Sequence, residues 1–346
     1  MKKNILVTAV GGRSVGSGIL HALCRNTQEV NNRWNVIAAD AESFAWGLYK
    51  TNQRVLLPLA NDPNYIERLK EVVEQYKIDA IIPGSEPEVF KLAAEREAFQ
   101  VPIIMNDPSL MPLMQDKFKA TEKLSALGLP VIPTVAIEEY KSLLSKFDFP
   151  FIIKPTRGTG GSRGLKIAVK EQDILDELEQ LPTNSGVCIQ PYVGDEESEY
   201  TVGVLSDKHA NIIDSIVMKR KLIGLSLLDS KKVGNAKVSI STGYSQGFFI
   251  EEKSISTFCE NLAAKLQSKG PLNIQLRVHN GEIYVFEIHP RFSGTSTMRA
   301  DVGFNEPDIL LRNVLFDEQF SRLNYTNNVA VIRAFEHAIV PISEML

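Results

Sequence analysis

Residues 272–291, LNIQLRVHNGEIYVFEIHPR, carry the reading on which the fold turns. Two runs with apolar residues at alternate positions flank His279-Asn280-Gly281, a pattern that predicts a β-hairpin. The register decides what such a hairpin is for. A two-residue Asn280-Gly281 turn, the default for this dipeptide, would pair Gln275 with Phe286 and split the apolar residues between faces. A three-residue turn with Gly281 left-handed pairs Val278 with Glu282 and Ile274 with Phe286. Leu272, Ile274, Leu276, Val278, Tyr284, Phe286 and Ile288 then share one face. A one-residue slip would expose that set, so the hydrophobic pattern selects the three-residue turn. The other face carries Asn273, Gln275, Arg277, Glu287 and His289, with Ile283 and Val285. Gln275 falls diagonal to Glu287. An amide oxygen, a carboxylate and an imidazole so placed suit a divalent cation that also carries phosphates, since Mg²⁺ takes one or two carboxylates and leaves the rest to phosphate and water. Arg291 follows, within reach of a transferring phosphoryl group. A solvated polar strand face is the blander alternative.

The chain around this hairpin has 346 residues, room for two or three domains. Its 38 basic and 42 acidic residues leave a net charge of −4, with no long block of either sign. A nucleic-acid or membrane-surface partner would need a concentrated basic face, so neither is expected. Cys24, Cys188 and Cys259 are too widely spaced for a metal pattern or a disulfide framework, and read as thiols in a reducing compartment. MKKNILVTAVGG reads as a first strand, because its apolar run is short and glycines follow at once. No stretch approaches the ~20 apolar residues of a membrane span. The expectation is a soluble, cytoplasmic protein.

Upstream, strands alternate with helices. NILVTAV, NVIAAD, IDAIIPG and PIIMN read as strands; GSGILHALCRN, PNYIERLKEVVEQYK and EPEVFKLAAEREAF read as helices. Such repeats predict an α/β domain over 1–112, a parallel sheet covered on both faces. The pattern then changes. DKFKATEKLSALGLP is one helix stopped by Gly128 and Pro130. FPFIIKP and GLKIAV are strands around a glycine-rich run, and KEQDILDELEQL is a helix, giving a lobe over 113–186. GVCIQPYV, SEYTVGVLS, HANIIDSIVMKRKL and the hairpin supply a second lobe over 187–320. Strands with segregated helices make this an α+β region. Residues 321–346 form a tail, a docking strand or a contact for a homodimer.

Two glycine loops compete for a nucleotide. AVGGRSVGSG, residues 9–18, follows the first strand, and Asp40 ends the second where a dinucleotide's ribose-binding acid would fall. Gly12, Gly16 and Gly18 are misplaced for that fingerprint, and His21 stands where its third glycine belongs. Any tight strand-to-helix turn also wants glycine. The second run, KPTRGTGGSRG at 154–164, lies between strands and reads as a hairpin flap whose bare N–H groups can approach phosphate oxygens. Lys154 precedes it on an apolar strand, where an ammonium must snorkel out or meet an anion. In PGSEPEVF, Glu86 and Glu88 lie at a strand C-terminus, where open α/β sheets place ligands, and are candidates for an ammonium group. A helix N-terminus enriched in acid is the alternative.

Six segments in order, IDAIIPGSEPEVFKLA, MQDKFKATEKLSALGLPVIPT, FPFIIKPTRGTGGSRGLKI, CIQPYVGDEESEYTVGVL, GPLNIQLRV and FEIHPRFSGTS, resemble the ATP-grasp superfamily. Within it the chain looks most like one synthetase unit of the carbamoyl-phosphate synthetase large subunit. The resemblance implies a pre-ATP-grasp domain and then two α+β lobes that grip ATP between them. It implies that Lys117 and Lys154 touch the ATP phosphates under the flap of Gly158, Gly160, Gly161, Ser162 and Gly164. Gln190, Tyr192 and Val193 would form the adenine hinge, and Glu199 would hold the ribose or a cation. Arg220 would be a further phosphate or substrate contact. Gln275 and Glu287, with His289, would ligate Mg²⁺, and Arg291, together with Lys154, would serve catalysis by steadying acyl-phosphate formation. The family usually reads Glu-x-Asn-x-Arg where this chain has Glu287-Ile288-His289-Pro290-Arg291. Either the metal preference moves toward Mn²⁺ or His289 is a weak ligand. Only one synthetase unit is present, so carbamoyl phosphate is not the expected product. The implied activity is an ATP-dependent ligase joining a small-molecule carboxylate to an amine. A ligase of sugar carboxylates or amino sugars, a nucleotide-binding regulator without turnover and an NAD-dependent enzyme using the first loop are the rivals.

Overall fold

A computed structural model describes residues 2–12, 14–24, 28–157, 164–182, 186–195, 197–233 and 236–346. In the first domain β1 (Lys3–Val7), β2 (Trp34–Asp40), β3 (Gln53–Leu56) and β4 (Ala80–Ile82) form a parallel sheet in the order β3-β2-β1-β4. Their apolar residues face helices on both sides, which is why the strands read as nearly continuous hydrophobic runs. The helices are α1 (Val15–Leu23), α2 (Gln28–Arg33), α3 (Tyr65–Gln75) and α4 (Glu86–Ala94). On α3 the buried residues are Tyr65, Leu69 and Val72, one helical stripe. Two expectations need correction. PIIMN reaches the sheet only through an isolated bridge between Ile81 and Ile103. QRVL is a strand, unheralded because only Val55 of it is buried.

The next lobe begins with α5 (Met111–Gln115) and α6 (Lys117–Ala126). Its antiparallel sheet holds β5 (Val135–Ala136), β6 (Phe151–Pro155), β7 (Lys166–Ala168) and β8 (Val187–Pro191), in the order β5-β8-β6-β7. With α7 (Lys141–Leu144) and α8 (Glu171–Gln180) the sheet closes a core around Ile137, Phe151, Ile174 and Ile189. Since β8 pairs with β6, this lobe runs through Pro191; the expected border after residue 186 cuts off its central strand. Gly158, Gly160, Gly161 and Ser162 of the expected flap lie outside the described residues.

The large lobe contains β9 (Glu199–Ser206), β10 (Ile212–Arg220), a side hairpin of β11 (Leu227–Val233) and β12 (Ala236–Ser241), then β13 (Gly247–Ile250), β14 (Pro271–His279), β15 (Glu282–His289) and β16 (Val329–Val331). Its main sheet has the order β15-β14-β9-β10-β13-β16. Helices α9 (Lys253–Lys265), α10 (Ser296–Asp301) and α11 (Glu306–Phe316) complete it. One hydrophobic core joins Ile5, Val7 and Ile19 of the first domain to Leu205, Ile216 and Phe249 of the large sheet and Phe304 between the last two helices. The tail docks as edge strand β16 on β13, and Glu344 O, further along, accepts from Arg54 Nη2 at 2.8 Å.

The decisive hairpin departs from the expected register. Asn280 and Gly281 both take left-handed backbone, φ +51° and +81°, and His279 pairs with Glu282, so the turn has two residues. Leu276 pairs with Val285 but Gln275 pairs with Glu287, leaving Phe286 as an extra residue, a β-bulge. The bulge switches faces partway along β15. Ile283 and Val285 therefore join Leu272, Ile274, Leu276 and Ile288 in the core, and Tyr284 and Phe286 do not. Gln275 ends directly opposite Glu287 rather than diagonal to it.

Candidate active site

Asp116 caps α6, its carboxylate accepting from Phe118 N at 3.0 Å and Lys119 N at 3.3 Å. The cap sets Lys117 in the first turn, where its backbone N–H donates to Thr156 O at 3.1 Å and ties the helix to the end of β6. Lys154, on β6, is 6% exposed. Burial lowers its ammonium to about 8, with Lys117 pushing the same way and Cys188 and Glu287 opposing. Gln190 on β8 is buried and accepts from Thr134 Oγ1 at 3.3 Å. Lys117, Lys154, Gln190, Phe286 and Glu287 line one narrow crevice of about 30 Å³ between the lobes.

Just beyond lies a buried charge triad. Glu199, 1% exposed, accepts through Oε1 from Arg220 Nη1 at 2.8 Å and through Oε2 from Arg277 Nη2 at 2.8 Å. Burial raises its pKa, and the two guanidiniums outweigh that and hold it low. Arg277 also lies 4.0 Å over the Tyr192 ring and donates to Val193 O at 3.2 Å. Glu199, Arg220, Tyr192 and Val193 are thus brought together, with the Glu199 carboxylate engaged by arginines on both sides. Arg220 also lines the neighbouring cleft.

Glu287 stands where crevice and cleft meet, lining both. Burial alone would raise its pKa, but the adjoining His289, Lys154 and Lys117 hold it at about 2, so it is ionised at neutral pH. Its side chain is still 40% open, toward the two cavities. An amide oxygen and a carboxylate facing each other across β14 and β15 fit Mg²⁺, a hard cation that binds oxygen. His289 fits it less well. Its Nε2 lies 3.1 Å from Glu287 Oε2 and its Nδ1 3.4 Å from Arg291 Nη2. The ring therefore props Glu287 and Arg291 in place. Arg291 also donates from Nη1 to Phe292 O at 2.7 Å and faces Glu86 at 3.9 Å.

The cleft, about 500 Å³, is walled by the first domain (Ser14, Ser17, Ser85, Glu86) and by the large lobe (Gln275, Glu287, Arg291, Tyr244, Arg333). Of the two acids proposed for an ammonium group, only Glu86 lines it. Glu88 is buried, accepting from Thr8 Oγ1 at 2.8 Å, Ser85 Oγ at 3.0 Å and Tyr65 OH at 3.1 Å. In the first glycine loop Asp40 accepts from Gly11 N at 2.8 Å, so the candidate ribose acid serves its own turn. Gly16 is a packing residue: a Cβ there would lie 2.3 Å from Thr8 O. Tyr244 and Arg333 went unread in the sequence because both sit in irregular segments, where no periodicity points a side chain anywhere. Glu86 did carry a signal, its place at the C-terminal edge of a parallel sheet.

Comparison with known proteins agrees with this architecture. Residues 5–105 match the family described as PylC-like, N-terminal domain, and residues 187–338 match ATP-grasp in the biosynthetic pathway with Ter operon. Together these matches support a single synthetase-like ATP-grasp unit. It is 25% identical over 310 residues to the carbamoyl phosphate synthase large chain, C-terminal section, of Aquifex aeolicus, covering 85% of this chain and 54% of that one. With pyruvate carboxylase of Bacillus subtilis it shares 24% identity over 295 residues, 77% of this chain and 24% of that one. The chain thus spans about half of the first relative and a quarter of the second. Among solved structures, N5-carboxyaminoimidazole synthetase from Staphylococcus aureus, complexed with ADP, superimposes with a TM-score of 0.66 at 16% identity, covering 94% of this chain and 81% of that one. L-amino acid ligase from Bacillus licheniformis gives 0.63 at 17%, with 91% and 74% covered. These likenesses establish the fold, parallel-sheet domain and two-lobed ATP-grasp alike. Among the described residues no helix is long and apolar enough to cross a membrane.

Proposed function

We propose that this ATP-grasp unit is an ATP-dependent ligase that joins a carboxylate to an amine. The observation that carries the reading is the position of Glu287 between two cavities. On one side is a crevice with two lysines, on the other a polar cleft with Arg291. That layout suits transfer of a phosphoryl group from one molecule to another across a shared acidic centre. Lys117 and Lys154 would meet the ATP phosphates, and Gln190 with the Tyr192–Val193 backbone would border the adenine. Gln275 and Glu287 would hold Mg²⁺, which supplies charge neutralisation at the phosphates. The substrate carboxylate, placed by Arg291, would take the γ-phosphoryl group to give an acyl phosphate and ADP. An amine near Glu86 would then attack the acyl carbon, forming the amide and releasing phosphate. Exclusion of water from the site would protect the acyl phosphate.

The test is ADP release measured against a panel of carboxylates and amines, with Mg²⁺ and Mn²⁺ in parallel. Turnover is expected to need one acid and one amine and to fall about a hundredfold or more in Glu287→Gln. Tight ATP binding without turnover for any pair would move the protein to the class of nucleotide-binding regulators.

A further inference from the structure

The cleft beyond Arg291 has a chemistry of its own. Ten of its twenty-four lining residues are Ser, Thr or Tyr, and Val15 is its one aliphatic residue. The hydroxyls stand on both walls. Several already donate inside the protein: Ser14 to Gly11 O, Ser17 to Ser14 O, Ser85 to Glu88, Thr201 to Asn273 and Thr242 to Leu225 O. What they offer a ligand is lone pairs, which the hydroxyl protons of a hydroxylated substrate fill.

Three arginines also line it, in different states. Arg220 has Glu199 at 2.8 Å, and Arg291 has Glu86 at 3.9 Å. Among the described residues Arg333 has no carboxylate. The chain leaving β16 delivers it, and it donates from Nη2 to Gly294 O at 2.7 Å and from Nε to Ser245 O at 3.2 Å. Its guanidinium lies 5.7 Å from the Tyr244 ring centroid. A half-buried guanidinium held by neutral carbonyls carries a charge that nothing in its own surroundings balances, and planar oxyanions are its natural complement. Arg291 and Arg333 are anchored on the carbonyls of Phe292 and Gly294, residues two apart along one loop whose Cα atoms lie no more than about 7 Å from each other.

We propose that Arg333 binds a second acidic group of the carboxylate substrate, which is therefore a polyhydroxylated acid bearing a further carboxylate or phosphate. One end would meet Arg291 and Glu287, where the chemistry occurs. The other would meet Arg333, and the hydroxyls between them would meet the serine and threonine walls. The inference rests on the ligase reading for which end reacts, and on the cleft itself for what binds.

Binding tests it directly. Calorimetry would use the whole protein with Mg²⁺ and a non-hydrolysable ATP analogue, titrated with gluconate, glucarate and 6-phosphogluconate. These share a six-carbon hydroxylated chain and differ in the second acidic group. At least one two-acid probe is expected to bind tenfold or more tighter than gluconate, and whichever is tighter identifies the group as carboxylate or phosphate. Arg333→Gln should bring the ratio to within twofold while nucleotide affinity holds, and Arg333→Lys should keep part of the preference. The proposal is overturned if gluconate binds as well as the two-acid probes, if none binds to nucleotide-loaded protein, or if the preference survives Arg333→Gln. If the nucleotide analogue itself does not bind, the ligase reading falls first and takes this proposal with it.

Discussion

Lys154 shows how one residue's surroundings set its chemistry. Its ammonium is buried on an apolar strand, and burial brings it down to about 8 from 10.5. Glu287, at about 2, stays ionised from mildly acidic to alkaline solution. Any loss of nucleotide binding just above neutrality therefore belongs to the lysine. On its proposed role Lys154 must be charged to hold phosphate. ATP affinity should be level up to about pH 8 and fall by up to tenfold per unit above it, read by calorimetry from pH 7.0 to 9.5, whereas Lys154→Arg should stay level. Stability runs the opposite way. The unfolded chain holds this proton more tightly, so Lys154 adds to stability as pH rises from 8 toward 10.5. Glu287 adds stability above about 4.5, which is lost as pH falls toward 2. The sequence was informative at this scale for a physical reason: a lysine inside FIIKP, or a carboxylate two positions before a histidine, is anomalous where it stands. His289 was harder. Its type allows a metal ligand, and no sequence pattern announces its 3.1 Å contact with Glu287.

Elements carry information that single residues do not. Glu199 on β9 lies between Arg220 on β10 and Arg277 on β14, so one carboxylate clamps three adjacent strands beneath the crevice. Removing one partner of a buried ionic cluster strands the others, which costs about 3–5 kcal/mol. Glu199→Gln should lose that much stability in urea denaturation, and the crevice should bind ATP more weakly because its floor has moved. A loss under 1 kcal/mol would show that the triad is not a structural clamp. Neither arginine pairing was legible, because Arg220 and Arg277 are far apart in sequence and meet only when β9 lies between them. The hairpin misled in another way. Asn280-Gly281 does announce a two-residue turn, but Phe286 fits an unbroken alternation, so pattern alone preferred the longer turn. A bulge occupied by an apolar residue leaves no mark in the hydrophobic period, and this one sets Gln275 opposite Glu287.

At the scale of the whole molecule, the parallel-sheet domain and the large lobe share one core, while the small lobe's sheet has a cluster of its own and meets the large lobe where Ile152 and Ile167 pack on Val238 and Ile240. The sequence separates three regions by a change of pattern, and periodicity cannot say which of them share a core. Phe304 is fully buried in the core that joins β1 and α1 to the large sheet, edge-on to Tyr325 at 5.2 Å. Ile174 is fully buried in the small lobe's own cluster, with Phe151 and Ile189. Both tryptophans, Trp34 and Trp46, lie in the first domain, and Trp34 donates to Asp308 and stacks on Phe316 of α11, so their fluorescence reports the core these two regions share. Phe304→Ala should shift the tryptophan-detected urea transition by about 3–5 kcal/mol, although residue 304 lies outside the first domain in sequence. Ile174→Ala removes a comparable apolar side chain, yet it should leave that transition within about 0.5 kcal/mol and instead raise amide exchange in β6 and β8. Equal shifts from the two substitutions would mean a single cooperative unit. The small lobe's own cluster would then not unfold separately, and the Ile152–Val238 contact would couple it to the rest of the molecule.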